Sequence, residues 1–315
     1  MEELGSRSSN LSGKLIFVVS LITQECDYQR EQAHSAQLTA RRLGVEVEIL
    51  YAENDAIKQS QQLLQVIQNP SSAVSALILE PAGHTAFPQV AQAAAIAGLG
   101  WVVMNRSDAS IAQLRSRYGS PICTVTEDHE ETGRILGKQV AALLPGGGTV
   151  LFLQGPSGSP VTTLRLEGMN ETKPENIELK FLRSAHWSEE GGYKAVASWL
   201  RLSTSHDTEI DGVIGQSDLI ALGAYRAFWE QTIGDKQGRW LGLPFVGVNG
   251  LKTGQDAVQR GVLSATVVVP PTTVTAIEML VRAYREGVRL QERIFVAPKS
   301  FPDIGKLSPP EGKAR

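Results

Sequence analysis

Cysteine is nearly absent: Cys26 and Cys123 are the two thiols in 315 residues. Two thiols cannot build a disulfide framework, and neither sits in a CxxC pair suited to metal or redox chemistry. Cys123 falls in the apolar run ICTV, where a buried free thiol is expected. The five histidines (His34, His84, His129, His186, His206) show no ligand-like spacing with one another or with cysteine, so no metal site is expected. There is no excess of positive charge either. A net charge of −3 argues against general nucleic-acid binding, which wants a basic face. No apolar run approaches the ~20 residues needed to span a bilayer. Phosphate-binding turns are missing: no GxGxxG opens a helix after the first strand, and PGGGTV leaves a helix for a strand with no GK[ST] behind it. No cofactor is therefore expected. GPSGS lacks the second glycine of a nucleophile elbow. The acidic run EDHEE opens a helix and reads as a dipole-stabilised first turn.

What the chain has is a rhythm. Short apolar runs alternate with amphipathic stretches almost end to end. KLIFVVS (from Lys14) precedes a helical pattern over Tyr28 to Leu43, VEVEILY precedes one over Ile57 to Gln68, ALILE precedes one over Phe87 to Ala97, and WVVMN (from Trp101) closes the set. The second half repeats it with strands at Ile122 to Val125, Thr149 to Leu153, Glu178 to Leu182, Gly212 to Gly215, Pro244 to Val248, Ser264 to Val269 and Ile294 to Ala297. Helices are expected between them, at Glu130 to Leu144, Val161 to Asn170, Glu189 to Leu200, Asp218 to Trp229 and Thr253 to Arg260, and from Pro271 to Arg285. Ala33, Ala36, Ala40 and Leu43 fall three or four apart, which is one helix face. Asp128 and Asp218 are placed to cap helices, and Gly44 to end one. Tyr225, Phe228 and Trp229 fall at helical spacing and are expected in the core.

Such alternation means βα units and parallel sheets buried on both faces. The fold class expected is α/β, with two hinged Rossmann-like lobes. At roughly 150 residues per domain the length calls for two. No Gly-, Ser- or Pro-rich linker separates the halves, which suggests a hinged pair with a cleft. The expected division is a disordered leader over 1–13, an N-terminal lobe of 14–126 plus 270–298, and a C-terminal lobe of 127–269 plus 299–315. In open parallel sheets ligands bind at the carboxyl ends of the strands. The residues there are SLITQECDYQ, EPAG, NRSD, QGPSGSP, GQSD and GVNG, mostly hydrogen-bonding groups with a few aromatics and arginines.

In order and spacing, KLIFVVS, VVMNR, RLEGMNE, QSDLIALGAYRA, FVGVNG and LSATVVVPP resemble the type I periplasmic sugar-binding proteins, the ribose- and galactose-binding group that also supplies the effector domain of lac-type repressors. The resemblance covers about Lys14 to Ile304. It implies a solute receptor that closes on its ligand by hinge bending, with ligand-binding positions at Gln24, Asp27 and Tyr28 in the first loop. It also implies Asn105 and Arg106 in place of an aspartate–arginine pair, Arg165 before the EG of the second lobe, Trp187 as a ring-covering aromatic, Ser217 before Asp218, and Asn249 in place of an aspartate. Val269 stands where the family often has glutamine. Arginine offers a rigid fork of donors, asparagine and glutamine both donate and accept, and an indole or phenol covers the apolar face of a sugar ring. With Asn249 and Val269 the site is more neutral and slightly more apolar than a ribose or galactose site.

The function implied is capture of a small polar molecule, a sugar or sugar-like compound, for an ABC-transporter permease or a membrane sensor. The protein is expected to be a monomer, to bind no nucleic acid, to be no enzyme and to lie in the periplasm. The opening residues lack the charged start, apolar core and cleavage site of a secretory signal. A ligand-sensing regulatory module is the alternative, without a helix-turn-helix, for which thirteen leader residues are too few. An enzyme on the same fold is the third reading, supported only by loop carboxylates.

Overall fold

The computed structural model describes residues 14–69, 73–83, 87–106, 110–202 and 208–309. The expected leader, His84, His206, the Ser-Asp of NRSD and the last six residues lie outside them. Along the chain to Glu127 run β1 (Ile16–Leu21), α1 (Asp27–Leu43), β2 (Glu46–Tyr51), α2 (Ala56–Gln68), β3 (Ala76–Leu79), α3 (Pro88–Ile96), β4 (Gly100–Met104), α4 (Ser110–Arg117) and β5 (Ile122–Glu127). Then come α5 (His129–Leu143), β6 (Gly148–Gln154), α6 (Pro160–Thr172), β7 (Ile177–Arg183), α7 (Glu189–Leu200), β8 (Gly212–Gly215), α8 (Asp218–Gln231), α9 (Gly234–Leu241), β9 (Phe245–Asn249), α10 (Lys252–Gln259) and β10 (Ala265–Val268). The chain closes with α11 (Thr272–Glu286), β11 (Arg293–Val296), β12 (Lys299–Phe301) and a turn of 3₁₀ helix (Ile304–Lys306).

Two compact units result. The first runs to Glu127 and resumes over Pro271–Val296; the second is Asp128–Pro270 and resumes at Ala297. The first unit holds one sheet in the order β11-β5-β4-β3-β1-β2, with every pair parallel. The second holds β12-β10-β9-β8-β6-β7, parallel except for the antiparallel edge strand β12. Each is a doubly wound α/β fold. The order reverses beside β1 and β3 in one unit and beside β6 and β8 in the other, and such switch points open a crevice at the carboxyl ends of the strands.

The inner strands are buried on both faces, as their apolar runs require. Phe17 and Val19 of β1 face one side with α1 and α11, while Val18 faces the other with α2 and α3. In β6, Leu151 and Leu153 pack towards α7 and α8, and Val150 and Phe152 towards α5 and α6. Phe17, Trp101, Phe152, Phe228 and Phe245 are among the largest fully buried side chains. Each such residue stabilises the fold by about 1.5–3 kcal/mol through area removed from water. In the second unit Phe228 stacks on Trp240 with centroids 4.9 Å apart, and Trp199 meets Trp240 edge-on at 5.7 Å. Asp128 caps α5 by accepting the Glu131 N–H, and Gly44 ends α1 at φ 63.

Five local features depart from the expected pattern. α4, α9 and β12 were not anticipated. α4 buries only Ile111 and Leu114, and α9 only Trp240, so neither carries a long apolar stripe; β12 is three residues long with no fully buried side chain. Trp229 is 58% exposed on α8, about 100° around the helix from the buried Phe228, and so stands outside the core. Asp218 does not cap α8: Ser217 does, accepting the Ile220 N–H at 3.2 Å.

Candidate ligand-binding site

In the first unit the loops after β1 and β3 are fastened by buried glutamines. Gln29, on the inner face of α1, accepts the Ile22 N–H at 2.9 Å and donates to Glu80 Oε2 at 2.8 Å. Gln59 on α2 donates to Ser20 Oγ and to the Glu80 carbonyl, and accepts the Ala82 N–H at 2.8 Å. These bonds hold the strand ends of β1 and β3 side by side. Next to them Asn105, the residue after β4, sits at φ 56 and donates its Nδ2 to Tyr28 Oη at 2.8 Å. Burial of the phenol, then the carboxylates of Glu80 and Glu127, push the Tyr28 pKa above the ordinary tyrosine value. Hydrogen bonds from Asn105 and Thr272 oppose that shift. The phenol is therefore neutral in any physiological medium. The Asn105 Oδ1 atom is shut off from solvent and has no hydrogen-bond partner among the described residues. An acceptor in that condition is costly unless a donor arrives.

Arg106 follows, half-buried, with no hydrogen bond to another described residue. Tyr28, Asn105 and Arg106 are thus brought to one edge of the first sheet. Gln24 and Asp27 are placed differently. The Gln24 side chain is exposed while its main-chain carbonyl accepts from Arg30, and the Asp27 carboxylate pairs with the same arginine in the first turn of α1. No hydrogen bond joins either to Tyr28 or Asn105 among the described residues.

In the second unit Arg165 on α6 is buried, and its guanidinium donates to the Gln216 carbonyl at 2.6 Å. The same guanidinium lies 5.9 Å from the centroid of the Trp187 ring, at the outer limit of a cation–π contact. Trp187 is half-buried in the loop after β7 and presses on Gly155, where a methyl group would overlap the indole. Gln216 plays in this unit the fastening part that Gln29 and Gln59 play in the other. Its Oε1 accepts the Gly155 N–H at 3.0 Å and its Nε2 donates to the Thr162 carbonyl at 2.9 Å. The ends of β6 and β8 are thereby tied to α6.

Ser217 is buried, and its hydroxyl oxygen serves the α8 cap. Asn249 closes β9 at φ 102, half-buried, and Val269 is buried just after β10. Asp218 is buried nearby. Its Oδ1 accepts from Thr266 Oγ1 at 2.6 Å and its Oδ2 from the Gly250 N–H at 2.8 Å. Burial pushes its pKa up to about 7, against the pull of those bonds and of the Arg165 charge. The buried glutamines and Asp218 were missed as site residues in the sequence. A polar residue on a helix reads as solvated face unless its burial is known, although EPAG and GQSD did mark two of the right strand ends.

Each unit therefore presents donors, acceptors and one aromatic at the carboxyl edge of its sheet. Among the described residues there is no group of three or more His, Cys, Asp or Glu side chains able to hold a metal ion. No described helix is long and apolar enough to cross a membrane.

Residues 17–286 match the family described as "Periplasmic binding protein domain". The xylitol-binding protein of Mycolicibacterium smegmatis is 27% identical over 213 residues, which is 67% of this chain but 55% of that relative, so the chain spans little more than half its length. The D-apiose import binding protein of Paraburkholderia graminis is 24% identical over 257 residues, covering 80% of this chain and 76% of the relative. Among solved structures, an ABC-transporter periplasmic solute-binding protein from Actinobacillus succinogenes with bound D-allose aligns with a TM-score of 0.78 and 21% identity, over 93% of this chain and 99% of that one. At that identity the likeness speaks for the fold alone. With a doubly wound pair of parallel sheets and a family match over most of its length, the chain belongs to the type I periplasmic binding proteins.

Proposed function

We propose that the protein is a receptor for a small polyhydroxylated solute, recognised by Tyr28, Asn105 and Arg106 of one unit and by Arg165, Trp187 and Asn249 of the other. The observation that carries this reading is the Arg165–Trp187 contact at the strand ends of the second unit. A guanidinium beside an indole suits a molecule with hydroxyls on its edge and carbon on its face. The first unit adds an acceptor, Asn105 Oδ1, that lacks a donor. The relatives bind a polyol and a sugar, which fits these groups. The solute would be handed on to an ABC-transporter permease outside the cytoplasm, with the receptor acting as a monomer; gene neighbours encoding a permease and an ATPase would support this partner, and a histidine kinase would support a sensor instead.

The test is a thermal-shift screen of the whole chain against D-ribose, D-allose, xylitol, myo-inositol and amino acids. A solute at about 100 times its dissociation constant adds ~2.7 kcal/mol of stability, a clear shift. Stabilisation by a polyol with 1:1 stoichiometry is expected, and Arg106→Ala and Trp187→Ala should each weaken it. If both variants bind the same polyol as tightly as the parent, the site assignment is wrong.

A further inference from the structure

Asp218 is the first residue of α8, a position from which a carboxylate commonly serves its own helix end. Here Ser217 takes the cap, and the Asp218 carboxylate reaches across to the two neighbouring strand ends. It holds the Gly250 N–H after β9 at 2.8 Å and the Thr266 hydroxyl of β10 at 2.6 Å. The surroundings are shaped to admit it. A Cβ at Gly247 or at Gly254 would overlap this carboxylate. Between those two glycines stands Asn249, at φ 102, followed by Gly250 at φ 56. Backbone of this kind persists only where its surroundings over-determine it. One such constraint is the Asp218–Gly250 bond. Another is Gln255, which donates to the Gly250 carbonyl at 2.7 Å. Arg165, the charged group that acts on the carboxylate from α6, is itself one of the proposed solute-binding residues.

Building on the solute-receptor reading, we propose that Asp218 is a positioning residue: it sets the Asn249–Gly250 turn, and so the direction of the Asn249 amide, without touching the solute. Three variants separate this role from a general contribution to folding. Asp218→Ala removes the acceptor for Gly250. Asp218→Asn keeps a carbonyl oxygen for Gly250 and turns its NH₂ to Thr266, whose hydroxyl can accept as well as donate. Thr266→Val removes the far bond and leaves the turn held.

The measurement is calorimetric titration of the whole chain with whichever of D-ribose, D-allose, xylitol or myo-inositol binds the parent most tightly. Asp218→Ala should weaken binding by about tenfold or more, while Asp218→Asn and Thr266→Val stay within about threefold, even though Thr266→Val melts at a lower temperature. Because Asp218 would act through Asn249, losses in Asp218→Ala combined with Asn249→Ala should fall well short of additive. Should Asp218→Ala fail to fold, Asp218→Ser, whose hydroxyl is too short to reach Gly250, takes its place under the same criteria. Unchanged affinity in the Ala or Ser variant, additive losses, or an equal loss in Thr266→Val would each overturn the proposal. If the parent binds none of the four compounds, the receptor reading fails first, before any variant is made, and the proposal falls with it.

Discussion

Ionising Asp218 costs the folded state something that the unfolded chain does not incur. Its pKa rises from 3.8 to about 7, chiefly because the carboxyl is buried, and hydrogen bonds from Thr266, Gly250 and Leu251 and the Arg165 charge offset only part of that. Between these two values the folded protein keeps the proton and the unfolded chain has lost it. Unfolding then releases a proton, so stability falls as pH rises across this window and levels off above about 7. A displacement of about three pKa units at ~1.4 kcal/mol each comes to about 4 kcal/mol between pH 4 and pH 7.5. That is a large part of the roughly 5–15 kcal/mol that holds a typical domain together. Asp218→Asn is uncharged throughout and lacks this slope. Urea denaturation of parent and variant at half-unit steps from pH 4.5 to 8.5 would show it. Taking the difference between the two proteins at each pH removes the titration of every other group they share. The variant should gain on the parent by roughly 1 kcal/mol per pH unit up to about pH 7, and the gap should then stay constant. A difference that is flat across the range would mean that Asp218 is already ionised at acid pH, and that the Arg165 charge and the hydrogen bonds outweigh its burial.

Two further outcomes follow from the same geometry. Ser217→Ala deletes the α8 cap and should cost about 1 kcal/mol in thermal or urea unfolding while leaving polyol affinity within a few-fold, because the hydroxyl oxygen is held by the Ile220 N–H; a large loss of affinity with unchanged stability would return Ser217 to the solute-binding set. Cys123 is fully buried and its thiol is pushed up to about 12, so native protein at pH 8 should titrate with at most one fast-reacting thiol, Cys26, and release the second only on unfolding; two fast thiols would contradict the packing of β5.

The strands were legible because burial on both faces leaves a chemical trace. ALIL of β3 and GWVVM of β4 admit no polar residue, and runs so short and so apolar suit an inner strand of a parallel sheet. The helix ends were legible where one residue has one task, as with Gly44 and Asp128. Legibility fails where a residue's role depends on what lies across the sheet. α9 carries a glycine within it and rests on one buried tryptophan, so nothing in its local pattern announces a helix; the aromatic cluster of Trp199, Phe228 and Trp240 holds it instead. Trp229 and Phe228 are adjacent in sequence and differ only in the direction they take from the helix, one to solvent and one to the core.

The same limit governs the site. Strand ends can be found from the rhythm, and a residue such as Arg165 can be carried over from a resemblance. Gln29, Gln59, Gln216 and Asp218 could not, since each works by bonding to groups outside its own helix or strand. Their side chains spend their donors and acceptors on the loops after β1, β3, β6 and β9, with Asn105 bonded to Tyr28 beside the first of these and Trp187 packed on Gly155 in the third. A polyol differs from its epimers only in where its hydroxyls point, so a receptor can tell them apart only if its own groups are held this rigidly. On the receptor reading proposed above, selectivity would therefore depend as much on the buried glutamines and Asp218 as on the residues that would meet the solute.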